Sequence, residues 1–121
     1  MFPETMTSSS CIFCKIVAGE IPATVLYKDE LVTAIRDLSP VAPTHALILS
    51  NKHVVSVNDA TAEEEPLFGH LFTVARKIAE LDGVTESGYR VVVNTGENGG
   101  QSVAHLHMHV IGGKAMSWPP G

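Results

Sequence analysis

The sequence predicts an α+β fold in which an antiparallel sheet of about five strands carries one long helix and a short N-terminal helix. Two observations predict it. Three strand-like segments precede and two follow a single stretch, about Ala62 to Leu81, in which Leu67, Leu71, Val74, Ile78 and Leu81 recur at four- and three-residue steps. The links between neighbouring strand segments are short or turn-rich, as in hairpins. With 121 residues the chain has room for one core. Neither a repeat nor a linker divides it, so residues 11–121 are expected to form a single domain behind a loose polar tail, Met1 to Ser10.

Along the chain, Phe13, Ile16 and Val17 mark one face of a short helix over Cys11 to Ala18 that ends near Gly19. Val25 to Tyr27 and Val32 to Ile35 are strands joined by a turn at Lys28, Asp29 and Glu30. Asp37 to Thr44 is a turn-rich connection stiffened by Pro40 and Pro43, and His45 to Leu49 is a buried strand. Thr61 with Glu64 has the form of a capping box at the start of the main helix, although Pro66 suits a later first turn. His70, beside the apolar stripe, is expected to be structural. Tyr89 to Val93 is a strand, Asn94 to Gln101 a Gly-rich loop, and His105 to Ile111 the last strand.

Composition narrows the function. The apolar, charged, Gly and Pro contents are those of an ordinary globular protein. A formal charge of −5 supplies no basic field for a nucleic-acid backbone. No apolar run approaches the roughly 20 residues that cross a bilayer, and the first residues lack the basic and apolar segments of a secretory signal. The expectation is a cytoplasmic protein without nucleic-acid or membrane partners. In that compartment a disulfide would not persist, so Cys11 and Cys14 suit a shared metal better than a bridge.

The chemistry concentrates in His105, His107 and His109. On a strand they share one face while Leu106, Met108 and Val110 enter the core. Neighbouring imidazoles would lie about 6.6 Å apart and the outer two about 13 Å, too far for one metal on a straight strand. One histidine here would pass as a half-buried structural residue; three in strict alternation offer a nucleophile with neighbours to orient it and to hold an anionic oxygen. Upstream, the glycines of Asn94 to Ser102 let backbone N–H groups approach a phosphate, and Ser102 adds a hydroxyl. Alone such a loop is usually a turn. Its junction with the histidine strand gives it weight.

His105-Leu106-His107-Met108-His109-Val110-Ile111 resembles the motif of the histidine-triad family. The resemblance extends through Phe13-Cys14-Lys15-Ile16, Gly19 to Ala23, Asp37 to Pro40, Pro43-Thr44-His45, Gly99 to Val103 and the closing Trp118-Pro119-Pro120-Gly121. The last is similar to the nucleotide-binding, or Hint, branch. This resemblance implies a homodimer whose sheets join into one, with a purine nucleotide pocket in each subunit. It implies a nucleoside 5′-monophosphoramidase: His107 attacks the α-phosphorus, forms a nucleotidyl-histidine, releases an amine and is freed by water. By the same mapping His109, His45 and Ser102 complete the catalytic set. Asn94 and Ser102 bond around the phosphate, Gly100 and Gln101 are further nucleotide-binding residues, Asp37 accepts the ribose hydroxyls, and Leu38 lies beside the base. Asp37 read alone would be a turn cap before Ser39.

A four-ligand structural zinc site requires two more residues beside Cys11 and Cys14, and His53 and His105 are available. Zinc-bearing relatives use the equivalent set, while others lack the cysteines, so the implied zinc is structural and no cofactor is required for the chemistry. Free buried thiols are the alternative. Three other functions remain open at this level: cleavage of dinucleoside polyphosphates, a metalloenzyme with a metal shared by His105 and His107, and a nucleotide-sensing or scaffolding module.

Overall fold

The computed structural model of the chain describes residues 10–121. The expected tail, Met1 to Ser10, lies outside the described residues apart from Ser10. In chain order the elements are helix α1 (Ile12–Val17), strands β1 (Val25–Lys28), β2 (Val32–Arg36) and β3 (Thr44–Ser50), helix α2 (Glu65–Asp82), and strands β4 (Tyr89–Val92) and β5 (His107–Gly112). The strands form one sheet in the order β1-β2-β3-β5-β4, and every neighbouring pair is antiparallel.

Local chemistry sets the ends of these elements. Asp29 makes the β1–β2 turn: its Oδ1 accepts from the amides of Leu31 at 2.8 Å and Val32 at 3.0 Å. The Thr61–Glu64 capping box forms, but it caps a single 3-10 turn over Ala62–Glu64, and the α-helix begins after it with Pro66 in its first turn. Both signals were therefore genuine, each for a different turn. Gly83, at φ 70°, closes α2 by donating to the carbonyls of Ala79 and Glu80, a left-handed conformation that a residue without Cβ adopts cheaply.

The sheet has two unlike faces. One packs against α2: Val32, Ala34, Ala46, Ile48, Leu106, Met108 and Val110 meet Leu67, Leu71, Val74, Ala75 and Ile78 in the main core. Leu81, expected on this face, is instead 62% exposed. At about 100° per residue the buried arc centres on Leu71, Ala75 and Ile78 and continues to the buried Ala79. Those alanines seat the helix on the sheet, and Leu81 falls at the far margin of the stripe in the last turn. The opposite face carries Ile35, Leu47 and Leu49 under Cys11 and Phe13 of the α1 segment.

Two polar ties fix α2 to the sheet. Arg36 grips both carboxylate oxygens of Asp82. His70 Nε2 lies 2.5 Å from Asp29 Oδ2, which also accepts from the Tyr27 hydroxyl at 2.7 Å. Burial pushes the Asp29 carboxyl up, but these two partners and the Leu31 and Val32 amides outweigh it and hold it well below the usual range. The structural expectation for His70 agrees with this tie.

The last strand is shorter than expected. It begins at His107, because the chain bends at His105, whose amide bonds the Val103 carbonyl only two residues back. His105 therefore leaves the ladder. It is fully buried.

Candidate active site

His107 and His109 stand on the α1 side of the sheet. Across the β3–β5 ladder His107 faces Leu49, His109 faces Leu47 and His45 faces Ile111, so His45 is the diagonal neighbour of His109. The ring centroids of His107 and His109 are 5.1 Å apart, and those of His45 and His109 5.2 Å. Phe13 meets His107 edge-on at 5.0 Å and His105 at 5.8 Å. These two imidazoles share one wall.

Hydrogen bonds assign each ring its tautomer. His107 Nδ1 lies 2.7 Å from the His105 carbonyl oxygen, which can only accept, so the proton is on Nδ1 and Nε2 keeps its lone pair. His45 Nδ1 accepts the Val41 amide at 3.1 Å, so an uncharged ring carries its proton at Nε2. That Nε2 lies 2.9 Å from His109 Nδ1 and 3.3 Å from Asp37 Oδ2. His109 then accepts at Nδ1 and carries its own proton on Nε2. Burial pushes His107 below its ordinary imidazole value, against the pull of the His105 carbonyl. It pushes His109 down to about 4, with His107 and His45 adding to the effect. A neutral, unprotonated nitrogen is thus the resting state of His107 near neutral pH.

Asp37 forms the turn cap read for it alone. Its Oδ1 accepts the Ser39 amide at 2.7 Å, the turn cap, while Oδ2 faces His45. Leu38 beside it is 95% exposed. Asn94 follows β4, two residues beyond Val92, which pairs with His109. Ser102 is exposed and Asn94 half-buried.

The Gly-rich loop is held by hydrogen bonds of its own. The Gly100 amide bonds Glu97 and the Gln101 amide bonds Gly96. Gln101 turns inward, donating to the carbonyls of Val55 at 2.7 Å and Val103 at 3.0 Å and accepting the Gly96 amide at 3.0 Å. Gly99 is required sterically, since a Cβ there would collide with the Thr95 carbonyl. Gly100 and Gln101 brace the loop, and their donors are already engaged.

A second cluster lies beyond His107. The Sγ atoms of Cys11 and Cys14 and the Nδ1 atoms of His53 and His105 all lie within 4.8 Å of one another. Cys11 caps α1 and accepts the Cys14 amide, which brings the two sulfurs together. His105 Nε2 lies 2.6 Å from the Ser50 carbonyl oxygen, so its proton is there and Nδ1 presents a lone pair. The separations are 3.2 Å from Cys11 Sγ to His105, 3.1 Å from Cys14 Sγ to His53, and 3.3 Å between the two Nδ1 atoms. Burial pushes His105 down to about 4. Burial and the neighbouring Cys11 push the Cys14 thiol up to about 11. Two thiols, the inward lone pair of the backbone-held His105 and the Nδ1 of His53 fit a tetrahedral Cys2His2 zinc site, in which a cation would stabilise the thiolates. His107 belongs to neither metal-ligating cluster among the described residues, so His105 and His107 do not converge on a common ion.

Comparison with known proteins supports the same grouping. The HIT domain profile matches residues 18–116. The purine nucleoside phosphoramidase of Escherichia coli K12 is 52% identical over 105 residues, covering 87% of this chain and 88% of its own. The 14 kDa zinc-binding protein of Zea mays is 48% identical over 118 residues, 96% of this chain and 91% of its own. The crystal structure of a HIT family hydrolase from Legionella pneumophila superposes with a TM-score of 0.89 at 47% identity, covering 92% of this chain and 99% of that one. The five-stranded antiparallel sheet with its single long helix is the fold this chain shares with that hydrolase. This chain belongs to the HIT domain family.

Proposed function

We propose that the protein is a purine nucleotide-binding hydrolase, a nucleoside 5′-monophosphoramidase that works through a covalent nucleotidyl-His107. The observation that carries this reading is the His107–His105 hydrogen bond. It holds the proton on Nδ1 and leaves Nε2 as a free base. Nε2 attacks the α-phosphorus, and the P–N electron pair leaves on the amine nitrogen, which takes up a proton from solvent. Water later breaks the P–N bond to His107, giving its proton back to solvent, to yield the monophosphate. His109, protonated on Nε2, supplies a donor to a phosphoryl oxygen as charge develops, with Ser102 and Asn94 completing the set. His45 orients His109. Asp37 accepts the ribose diol and Leu38 covers one side of the base. Gly100 and Gln101 contribute by holding the loop in shape. The similarity to the E. coli phosphoramidase supports this substrate class.

In this reading zinc is bound by Cys11, Cys14, His53 and His105 and is structural, with no step of the chemistry passing through it. The similarity to the maize zinc-binding protein supports its identity. The working unit is a homodimer. Its support is the edge strand β4 together with an apolar hollow of about 200 Å³ lined by Val57, Phe68, Leu71, Phe72, Val93 and Met108. Phe72 beside it is 59% exposed. No helix among the described residues is long and apolar enough to cross a membrane, which accords with a cytoplasmic location.

The test is cleavage of adenosine 5′-phosphoramidate with trapping of the labelled intermediate. Label on His107, with turnover that persists after chelation, supports the proposal. Label on another residue, or rapid turnover with none trapped, rejects the assignment of roles.

A further inference from the structure

His45 has one proton and two acceptors. Its Nδ1 is engaged by the Val41 amide, so the only N–H it can donate is at Nε2. That Nε2 is hydrogen-bonded to His109 Nδ1 at 2.9 Å, and the Asp37 carboxylate stands beside the same nitrogen at 3.3 Å as the second acceptor. His45 is 6% exposed, so its one N–H is directed to protein acceptors and not to water. A carboxylate is the stronger competitor for an N–H, since charge-assisted bonds are roughly twice as strong as neutral ones. Asp37 Oδ1 is already taken by the Ser39 amide, which leaves Oδ2 as the oxygen that pulls on His45. The Asp37 side chain is 19% exposed, so a ligand hydroxyl can still reach it.

We infer that ribose recognition and phosphate handling are coupled through this shared N–H: a diol donating to Asp37 satisfies the carboxylate and releases the His45 proton to His109. The inference rests on the reading of Asp37 as the ribose acceptor. Released from competition, the His45–His109 bond tightens and fixes His109 with Nε2–H directed outward, where a phosphoryl oxygen needs a donor. Asp37 is then a binding residue for the sugar and, through His45, a positioning residue for His109. The sugar hydroxyls contribute to the rate of the chemical step as well as to affinity, so that binding energy remote from phosphorus appears in kcat.

The coupling is tested with adenosine 5′-phosphoramidate and its analogue lacking both ribose hydroxyls, under single-turnover conditions at saturating enzyme. In the wild type the saturating rate is expected to fall about tenfold for the analogue, the worth of one charge-assisted hydrogen bond. In Asp37→Ala the saturating rate should be the same for both substrates, although both bind more weakly. Asp37→Asn keeps an acceptor for the Ser39 amide and serves if the alanine variant fails to fold. Equal saturating rates in the wild type, with only KM changed, would overturn the coupling, as would a tenfold gap that survives in either variant.

A second measurement needs no turnover. Nitrogen NMR of histidine-labelled protein should show the His109 Nδ1 resonance move when adenosine binds, and remain in place when the nucleoside lacking both hydroxyls binds. Equal movement with both nucleosides, or none with either at saturation, would overturn the coupling. If neither phosphoramidate is cleaved, the proposed function fails, and these spectra decide the coupling by themselves.

Discussion

Cys11, Cys14, His53 and His105 gather four ligand atoms at one end of the histidine motif, and Asp37, His45 and His109 gather three at the other. As lists of residues the two clusters look alike. Their hydrogen bonds set them apart. In the first, the Ser50 carbonyl takes the His105 proton and turns a lone pair toward the two sulfurs. In the second, the Val41 amide occupies His45 Nδ1 and forces the proton onto the very nitrogen that faces Asp37 and His109. A carbonyl behind an imidazole prepares it for a cation, and an amide N–H behind it makes it a donor. The first cluster suits a metal, the second an anion. His107 stands between them, oriented by the backbone carbonyl of a residue from the metal cluster.

The largest effect that separates the regions is expected at His107. His107→Ala should lower phosphoramidate turnover by about 10⁶-fold, as removal of a covalent nucleophile does in another hydrolase, while nucleotide affinity measured by calorimetry changes little. Turnover within tenfold of wild type would place the nucleophile elsewhere. Next comes His109→Ala. Loss of one developing-charge donor should raise the barrier by about 2–4 kcal/mol, with metal content unchanged. A variant that also loses its metal would show that the two clusters are not independent.

Stripping metal from the first cluster should act on the fold. Zinc bound at Cys11, Cys14, His53 and His105 ties α1 to the segments that follow β3 and precede β5, and its removal is expected to lower Tm by about 10 °C, for roughly 2–3 kcal/mol in a domain of this size. The folded fraction should still cleave substrate. Elemental analysis of protein prepared without chelator should find about one zinc per chain. No metal at all, or an apoprotein that melts with the holoprotein, would reject the structural role.

Much of this was legible in the sequence because it depends on local spacing. Alternation places Met108 and Val110 in the core and His107 and His109 opposite, and the CxxC spacing brings Cys14 back to Cys11 across a single helical turn. What escaped depends on contacts distant in sequence. His105 belongs to the alternating pattern, yet its chain bends away at the Val103 carbonyl, and nothing in the motif encodes that. Leu81 continues the helical stripe but lies past the margin where Ala75 and Ala79 press on the sheet. The bond from the Gln101 side-chain amide to the Val55 carbonyl, forty-six positions away, is likewise invisible in the sequence. The division of protons between His45 and His109 depends on one backbone amide, at Val41, and a backbone group leaves no trace in residue identity.

The smallest expected effect concerns the proton on His109. Burial lowers its folded pKa from the ordinary 6.5 to about 4. The unfolded chain therefore binds a proton between those values that the folded protein refuses. Stability must fall as pH drops through that window and level off below it, since the unfolded state holds more protons there. The full shift would be worth about 3 kcal/mol, at 1.36 kcal/mol per unit. His109 retains contact with solvent, and screening reduces the expected loss to about 1–2 kcal/mol. Urea unfolding of the zinc-bound protein at pH 7 and pH 5 should show the wild type losing stability and His109→Gln losing measurably less. The neutral glutamine keeps an amide in place of the ring without a titrating proton. If the two proteins share one pH slope, His109 ionises as readily in the folded state as in the unfolded one. The anion-facing cluster would then lack the neutral His109 donor assigned to it at rest.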